Sequence, residues 1–262
     1  MTETDPIHFF DLWSSLPGPG KSWSPNTLRT RMVLNFKGIP YTQSWVSYPD
    51  IAPLLKAHGV PPGTSNTPYT LPAISHKGIP DGMLMDSEPI AMYIDKLYPS
   101  PPLFPSGDAS YALEIAVLRS IAIFGQCTGL LITPRVPSVL DERGREYFVR
   151  TRSERFGKPL SEVRPTDEEG LGELWELLEK ESLLLVKMLK GKEGKKGPFL
   201  EGEKAGYADI ILASMLAFLD RFDRDIFEKI LGLGDGEFKR FYEACLPWLE
   251  GQGEEKEWPI PQ

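Results

Sequence analysis

Apolar positions in the first hundred residues follow two different spacings. Residues 7–13 and 41–48 form short apolar or alternating runs, which predict two strands. Between them, an apolar set with helical spacing occupies residues 25–37 and stops at Gly38, as a helix commonly does. A second, shorter helix is predicted at residues 50–57. This mixture of periods is typical of a small α/β domain.

A proline opens the next predicted strand, at residues 69–75. Proline gives no N–H to a sheet, and the bond before it is one of the few that tolerates the cis form. The N–H and C=O of Leu71 would then be free to pair with an extended peptide. After another short strand at 83–85, Asp86 and Ser87 open a helix, whose free N–H groups favour bound carboxylates.

The rest of the chain has a different pattern. After a proline-rich linker near residue 105, no strand-like alternation recurs, and apolar residues keep helical spacing. One helix opens at Gly206, with Asp209 three positions later, where its carboxylate can bind loop N–H groups. We interpret Asp209 as a folding residue rather than a catalytic one. The pattern predicts an α/β domain at 1–104 and an all-helical domain at 105–262.

Composition and charge limit the partners and the cellular location that we expect for this protein. The 262 residues are 41% hydrophobic and 25% charged, as in a soluble globular protein. A net charge of -8 argues against nucleic acid or an anionic membrane as a partner. No apolar run approaches the roughly 20 residues of a membrane helix, and the acidic start is unlike a signal peptide, so a cytoplasmic location is expected. The cysteines and histidines show no metal-ligand spacing, so buried thiols and no metal site are expected: Cys127, Cys245, His8, His58 and His76.

These segments together resemble a known family. The first hundred residues, with Ser24-Pro25-Asn26 opening a helix, resemble the thioredoxin-like half of a cytosolic glutathione transferase. The chain after Tyr111 resembles that family's all-helical half. The Ser-Pro-Asn opening and the long loop before Leu71 are similar to bacterial lignin β-etherases, and more so to the etherase-like glutathione transferases of wood-degrading fungi. The resemblance implies the glutathione transferase fold, a thioredoxin-like α/β domain followed by an all-α domain.

The resemblance implies glutathione, γ-Glu-Cys-Gly, as co-substrate. Its thiol must ionise to react, and a helix N-terminus with a good donor lowers a thiol pKa from near 8.5. Ser24 stands where a thioredoxin has its nucleophilic cysteine, and is expected to donate to the thiolate; alternatively it only caps the helix. Asn26 is a second candidate and Ser22 a third. Trp23 either shields the sulfur or belongs to the core.

The rest of the tripeptide has expected partners too. Leu71, followed by Pro72, should pair with the cysteinyl backbone, and Ser87 should bind the γ-Glu carboxylate. Asp86 should pair with the γ-Glu ammonium, where most family members have Glu. The glycine carboxylate is expected to meet one of three polar groups, between which the sequence does not choose: His58, Lys56 or Thr70.

The second substrate is expected beside Ser24, near the start of the helical domain. Six apolar residues there are candidate lining or core: Tyr111, Ile115, Leu118, Ile121, Phe124 and Leu131. The implied reaction is thiolate attack on hydrophobic aromatic electrophiles, with β-aryl ether cleavage or peroxide reduction as possible forms. The alternatives are a ligandin that holds aromatic compounds with little turnover, and an interaction protein without chemistry. A homodimer is expected, in which the first domain of one subunit meets the helical domain of the other.

Overall fold

The computed structural model describes residues 6–260, and they form two compact units. The first unit consists of residues 6–101, 139–148 and 247–260, and the second of 102–138 and 149–246. The sequence predicted domains at 1–104 and 105–262. Two segments that follow residue 104, 139–148 and 247–260, pack with the first unit.

The first unit is built on a mixed five-stranded sheet. Its strands are β1 (Ile7–Leu12), β2 (Tyr41–Val46), β3 (Ala73–Ser75), β4 (Met83–Met85) and β5 (Glu254–Glu255). They lie in the order β4-β3-β1-β2-β5, with β1 parallel to β2 and antiparallel to β3. The first four strands were predicted.

Strand β5 corrects the expectation that no strand follows the linker. It pairs in parallel with β2, Thr42 opposite Glu254 and Gln43 opposite Glu255. Both β5 residues are exposed and acidic, so they lack the apolar alternation that signals a strand. Only the partner strand, two hundred residues earlier in the chain, makes this segment extended.

Three helices complete the first unit: α1 (Pro25–Phe36), α2 (Ile51–Ala57) and α3 (Ser87–Leu97). Helix α1 buries Leu28, Met32 and Leu34, as its spacing predicts. The loop before α1 is irregular as expected, apart from one 3-10 turn at Gly18–Lys21.

Strand register places three chain segments at the same edge of the sheet. Phe10 of β1 lies opposite Ala73 of β3, and Ala73 lies opposite Met85 of β4. Because β1 and β4 end at this edge and β3 begins there, the loop leading to α1, the residues before β3 and the start of α3 all emerge together. Helices α1 and α3 also pack against each other.

The second unit is helical. Its helices, with bounds that cross the unit division in α5 and α9, are α4 (Asp108–Ile132), α5 (Glu142–Phe156), α6 (Glu168–Lys190), α7 (Tyr207–Phe222), α8 (Arg224–Leu231) and α9 (Glu237–Glu250). Helix α4 packs against α6 and α7, and α7 is buried along most of its length.

One helix corrects the expectation that no segment approaches a membrane helix in length and apolar composition. Residues Asp108–Val139, α4 with the turns after it, are long and apolar enough to cross a membrane by length and composition alone. Its buried residues, Val117 and Phe124 among them, lie in the core of the helical unit. The core helix of a globular bundle has the same composition.

Asp209 caps α7 as predicted. Its two carboxylate oxygens accept the N–H groups of Gly206 and Leu200, each at 2.8 Å. Burial raises the pKa of Asp209 to about 6, although both N–H groups favour the ionised form. The carboxylate joins the loop before α7 to the helix itself and is committed to folding.

Candidate functional site

Ser24 lies directly before α1 and is the N-cap residue of that helix. Its C=O accepts the N–H of Leu28 at 2.9 Å, in the usual way for a cap. Its side chain, however, makes no capping hydrogen bond, although the residue is only 7% exposed. The side-chain oxygen of an N-cap serine normally accepts a hydrogen bond from a helix N–H group. Here the hydroxyl remains available to another partner at the positive end of the helix.

The two other candidate donors differ from Ser24 in exposure and in hydrogen bonding. Asn26, in the first turn of α1, is exposed. Ser22 is fully buried, and its hydroxyl donates to Asp11 Oδ2 at 2.6 Å inside the first unit. Trp23 is 3% exposed and packs in the core of the first unit.

The Leu71-Pro72 peptide bond is cis, at the same sheet edge. Both residues are buried, and β3 begins only at Ala73. Within residues 6–260, neither the N–H nor the C=O of Leu71 has a backbone partner. The C=O of Pro72 accepts the N–H of Asp86 at 3.1 Å, which ties this corner to the start of α3.

Asp86 and Ser87 form the third part of the site. Asp86 has φ +82° and is the only non-glycine residue with positive φ among those described. Its side chain is exposed, whereas Ser87, the first residue of α3, is buried. No side chain caps α3, so its first N–H groups are open to an anion.

The three candidates for the glycine carboxylate lie in different surroundings. One ring nitrogen of His58, Nδ1, lies 2.9 Å from the C=O of Leu54, and the ring lies 5.9 Å from that of Trp258. The Lys56 ammonium is exposed and lies 5.3 Å from the ring of Tyr69, beside Thr70. The lysine is therefore the cation that reaches the segment leading to Leu71.

The six apolar candidates in the helical unit divide into two groups. Ile121, Phe124 and Leu131 are buried in the core. Tyr111 and Ile115 are exposed, and Leu118 is half-buried. Periodicity alone could not separate the two groups because all six lie on one long helix.

The two cysteines are the other candidate reactive groups. Cys127 and Cys245 are free and buried, and burial raises the pKa of both thiols. Across residues 6–260, no three His, Cys, Asp or Glu side chains cluster as metal ligands would. The groups that gather at the site are hydroxyls, backbone N–H groups and one carboxylate, which suit an anionic peptide.

Sequence reasoning missed a buried ion pair beside the site. Asp11 of β1 and Arg31 of α1 are both fully buried, with Arg31 Nη2 3.0 Å from Asp11 Oδ2. A signal was present: each charge interrupts an otherwise apolar buried face. Two opposite charges on the buried faces of adjacent elements indicate a buried pair.

Family models agree with this arrangement. The model described as the N-terminal domain of glutathione S-transferase matches residues 23–97, and that of the C-terminal domain matches residues 122–248. The chain belongs to the glutathione transferase superfamily. The thioredoxin-like and helical halves of this glutathione transferase are those that the sequence predicted.

Three relatives of this transferase come from fungi. A glutathione S-transferase-like protein of Aspergillus flavus, ustS, is 54% identical over 268 residues, covering 100% of this chain and 97% of that protein. A glutathione S-transferase of Ceriporiopsis subvermispora, CsGST63524, solved in complex with glutathione, is 31% identical with a TM-score of 0.82, covering 93% of this chain and 98% of that one. GSTFuA3 of Phanerochaete chrysosporium is 30% identical with the same TM-score, covering 94% and 98%.

Proposed function

We propose that this transferase holds glutathione as a thiolate at Ser24 and uses it against hydrophobic aromatic electrophiles. The observation that carries the proposal is the Ser24 hydroxyl, which is nearly buried at a helix N-terminus yet unused by that helix. A hydroxyl donor and a helix dipole both favour the anionic form of a thiol. Serine cannot form a mixed disulfide, so the proposed class is the serine type.

The tripeptide would lie along the sheet edge. Its cysteinyl backbone would pair with the free N–H and C=O of Leu71, as an added strand. Its γ-Glu carboxylate would bind Ser87 and the open N–H groups of α3, and its ammonium would meet Asp86. Lys56 and Thr70 would receive the glycine carboxylate, since His58 instead faces Trp258.

The proposed reaction is a nucleophilic displacement. The glutathione thiol gives its proton to solvent, and the sulfur then forms a bond to an electrophilic benzylic or aromatic carbon. In the etherase form, the carbon–oxygen bond of a β-aryl ether breaks and the aryloxide leaves, taking a proton from water. Similarity to fungal glutathione transferases and the Ser-Pro-Asn opening of α1 support the etherase-like class.

The direct test compares Ser24→Ala with Asn26→Ala. Ultraviolet absorbance of bound thiolate, followed against pH, gives the pKa of the glutathione thiol in each complex. We expect Ser24→Ala to raise that pKa by about one to two units and to lower kcat/KM roughly tenfold or more, because one donor to the developing anion is lost. Asn26→Ala should leave both values close to wild type.

Three results would change the proposal. Conjugation or ether cleavage that survives Ser24→Ala unchanged would remove Ser24 from the mechanism. Tight binding of a fluorescent aromatic dye with negligible turnover, with and without glutathione, would favour the ligandin function instead. Failure of the folded wild type to bind glutathione in calorimetry would leave only an interaction protein.

We also propose that the transferase is a homodimer. The helical unit exposes large apolar side chains on α4 and α6, two helices that pack against each other. They are Tyr111, Ile115, Leu177, Leu183 and Leu184. An exposed apolar patch of this kind on a globular unit is typical of a protein interface.

A further inference from the structure

The loop that carries Ser24 is anchored to a buried charge. Asp11 lies near the end of β1 and is fully buried. Its Oδ1 accepts the N–H of Leu12 at 2.7 Å, and its Oδ2 accepts both the Ser22 hydroxyl at 2.6 Å and Arg31 Nη2 at 3.0 Å. A buried carboxylate with this set of donors has one fixed orientation, since losing any donor leaves charge uncompensated.

Ser22 is the residue through which this anchor reaches the site. It precedes Ser24 by two positions, at the end of a loop of about a dozen residues that follows β1. Ser24 makes no side-chain bond to its own helix, so its side chain does not fix its position. The bond from Ser22 to Asp11 is therefore one contact, beside the buried Trp23, that holds the last turn of the loop against the sheet.

The other end of the network reaches the C-terminal segment. Arg31 Nη1 lies 2.8 Å from Gln43 Oε1 of β2, 3.1 Å from Gln252 Oε1 and 3.4 Å from the C=O of Gly251. Arg31 Nε is buried without a partner among the described residues. The guanidinium therefore depends on its remaining acceptors, two of which come from the end of the chain.

We infer that Ser22 and Asp11 are positioning residues for the Ser24 hydroxyl, and that Arg31 couples them to the C-terminal segment at Gly251 and Gln252. We expect none of these side chains to contact the glutathione sulfur. They fix the position of the Ser24 hydroxyl, and the segment at Gly251 and Gln252 contributes to fixing it. The inference rests on the proposed function of Ser24.

The test uses the full-length protein with Ser22→Ala and Gln252→Ala. Ser44→Ala is the matched control: it too removes a nearly buried serine hydroxyl, one that binds His8 and the C=O of Lys256, without touching Asp11 or Arg31. Each variant is titrated with saturating glutathione, the bound thiolate is followed by ultraviolet absorbance, and steady-state kinetics give kcat and KM separately.

We expect Ser22→Ala to move the midpoint of thiolate formation up by about half to one pH unit and to lower kcat several-fold with little change in KM. Gln252→Ala should give a smaller shift in the same direction, and the double variant less than the sum of the two. Ser44→Ala should keep the wild-type midpoint, whatever stability it loses.

Three results would overturn the inference. Ser22→Ala with the wild-type midpoint would remove the anchor from the site. Equal shifts in Ser22→Ala and Ser44→Ala would mean that general loosening, not this network, moves the thiol. A wild type that binds glutathione without any thiolate signal would overturn the proposed role of Ser24 itself, and the positioning network with it.

Discussion

Asp86 combines an unusual backbone with a proposed binding role. A side chain at φ +82° is costly, typically about 1–3 kcal/mol, and such strain is often kept where a site needs it. Glycine adopts this conformation without steric cost. We therefore expect Asp86→Gly to keep or raise the free energy of unfolding by up to about 1 kcal/mol. The same change should weaken glutathione binding roughly tenfold, because the partner of the γ-Glu ammonium is gone.

Asp86→Asn separates the two effects. It keeps the Cβ and hence the strain, but loses the charge. Calorimetry should show it binding glutathione as weakly as Asp86→Gly, while urea unfolding should show wild-type stability. Wild-type affinity in both variants would mean that Asp86 does not bind the ammonium.

Residues with local signals were predictable at the site. A few neighbouring residues are enough to place Ser24 before a helix, Leu71 before a proline and Ser87 at the start of a helix. The network around Arg31 was not, because its partners lie 20 positions earlier and 221 positions later in the chain. A sequence shows that Arg31 interrupts an apolar face, but not which acceptors fold back to meet it.

Between elements, His8 links β1 to β2 and to the C-terminal segment. The Ser44 hydroxyl donates to the C=O of Lys256, so its oxygen accepts from His8 Nε2–H at 2.9 Å. The other ring nitrogen, Nδ1, then accepts from the Thr42 hydroxyl at 2.7 Å. Burial, and secondarily the charge of Lys256, lower the pKa of His8 to about 4.

This geometry predicts acid sensitivity. In the unfolded chain His8 titrates near 6.5, so between about pH 6.5 and 4 the unfolded state binds a proton that the folded state does not. The stabilisation is complete above about pH 6.5 and is lost as pH falls toward 4, by at most about 3 kcal/mol. Urea unfolding from pH 7 to pH 4 should show this loss, and His8→Gln should flatten it. An unchanged slope in His8→Gln would contradict the prediction.

The cap of α7 predicts a large stability effect in the helical unit. Asp209→Ala leaves two N–H groups without an acceptor, that of the buried Gly206 and that of the half-buried Leu200. We expect a loss of about 2–4 kcal/mol in the free energy of unfolding. Asp167→Ala is the comparison, since that exposed cap accepts one N–H, of Gly170 at 3.3 Å. Its loss should be about 1 kcal/mol or less.

Elements with their own periodicity were predicted close to their observed bounds. Helix α1 and strands β1 and β2 all carry enough apolar spacing to be recognised alone. Strand β5 carries none, since it is two exposed glutamates held by the edge of β2. Its extended form comes from a partner outside any local window.

For the whole molecule, the proposed homodimer is testable at two exposed positions. Ile115 on α4 and Leu183 on α6 are 54% and 48% exposed. Ile115→Glu and Leu183→Glu place charges in the proposed interface, so sedimentation should show a shift from dimer to monomer at micromolar protein. Val149→Glu, 38% exposed on α5, is the matched surface control and should keep the wild-type mass.

A monomeric wild type would contradict the dimer directly. A dimer that persists in both glutamate variants would place the interface on other surfaces. Circular dichroism of each variant checks that its helices remain folded during the measurement.

The sheet takes one of its outer strands, β5, from residues that follow β2 by some two hundred positions. On the ribosome, residues 6–101 emerge long before Gly251 and Gln252, so Arg31 is synthesised some two hundred residues ahead of two of its acceptors. N-terminal domains commonly finish folding before the rest of a chain is translated. In this protein that order is interrupted, because the unit that contains residues 6–101 is completed only after residues 247–260 have been made.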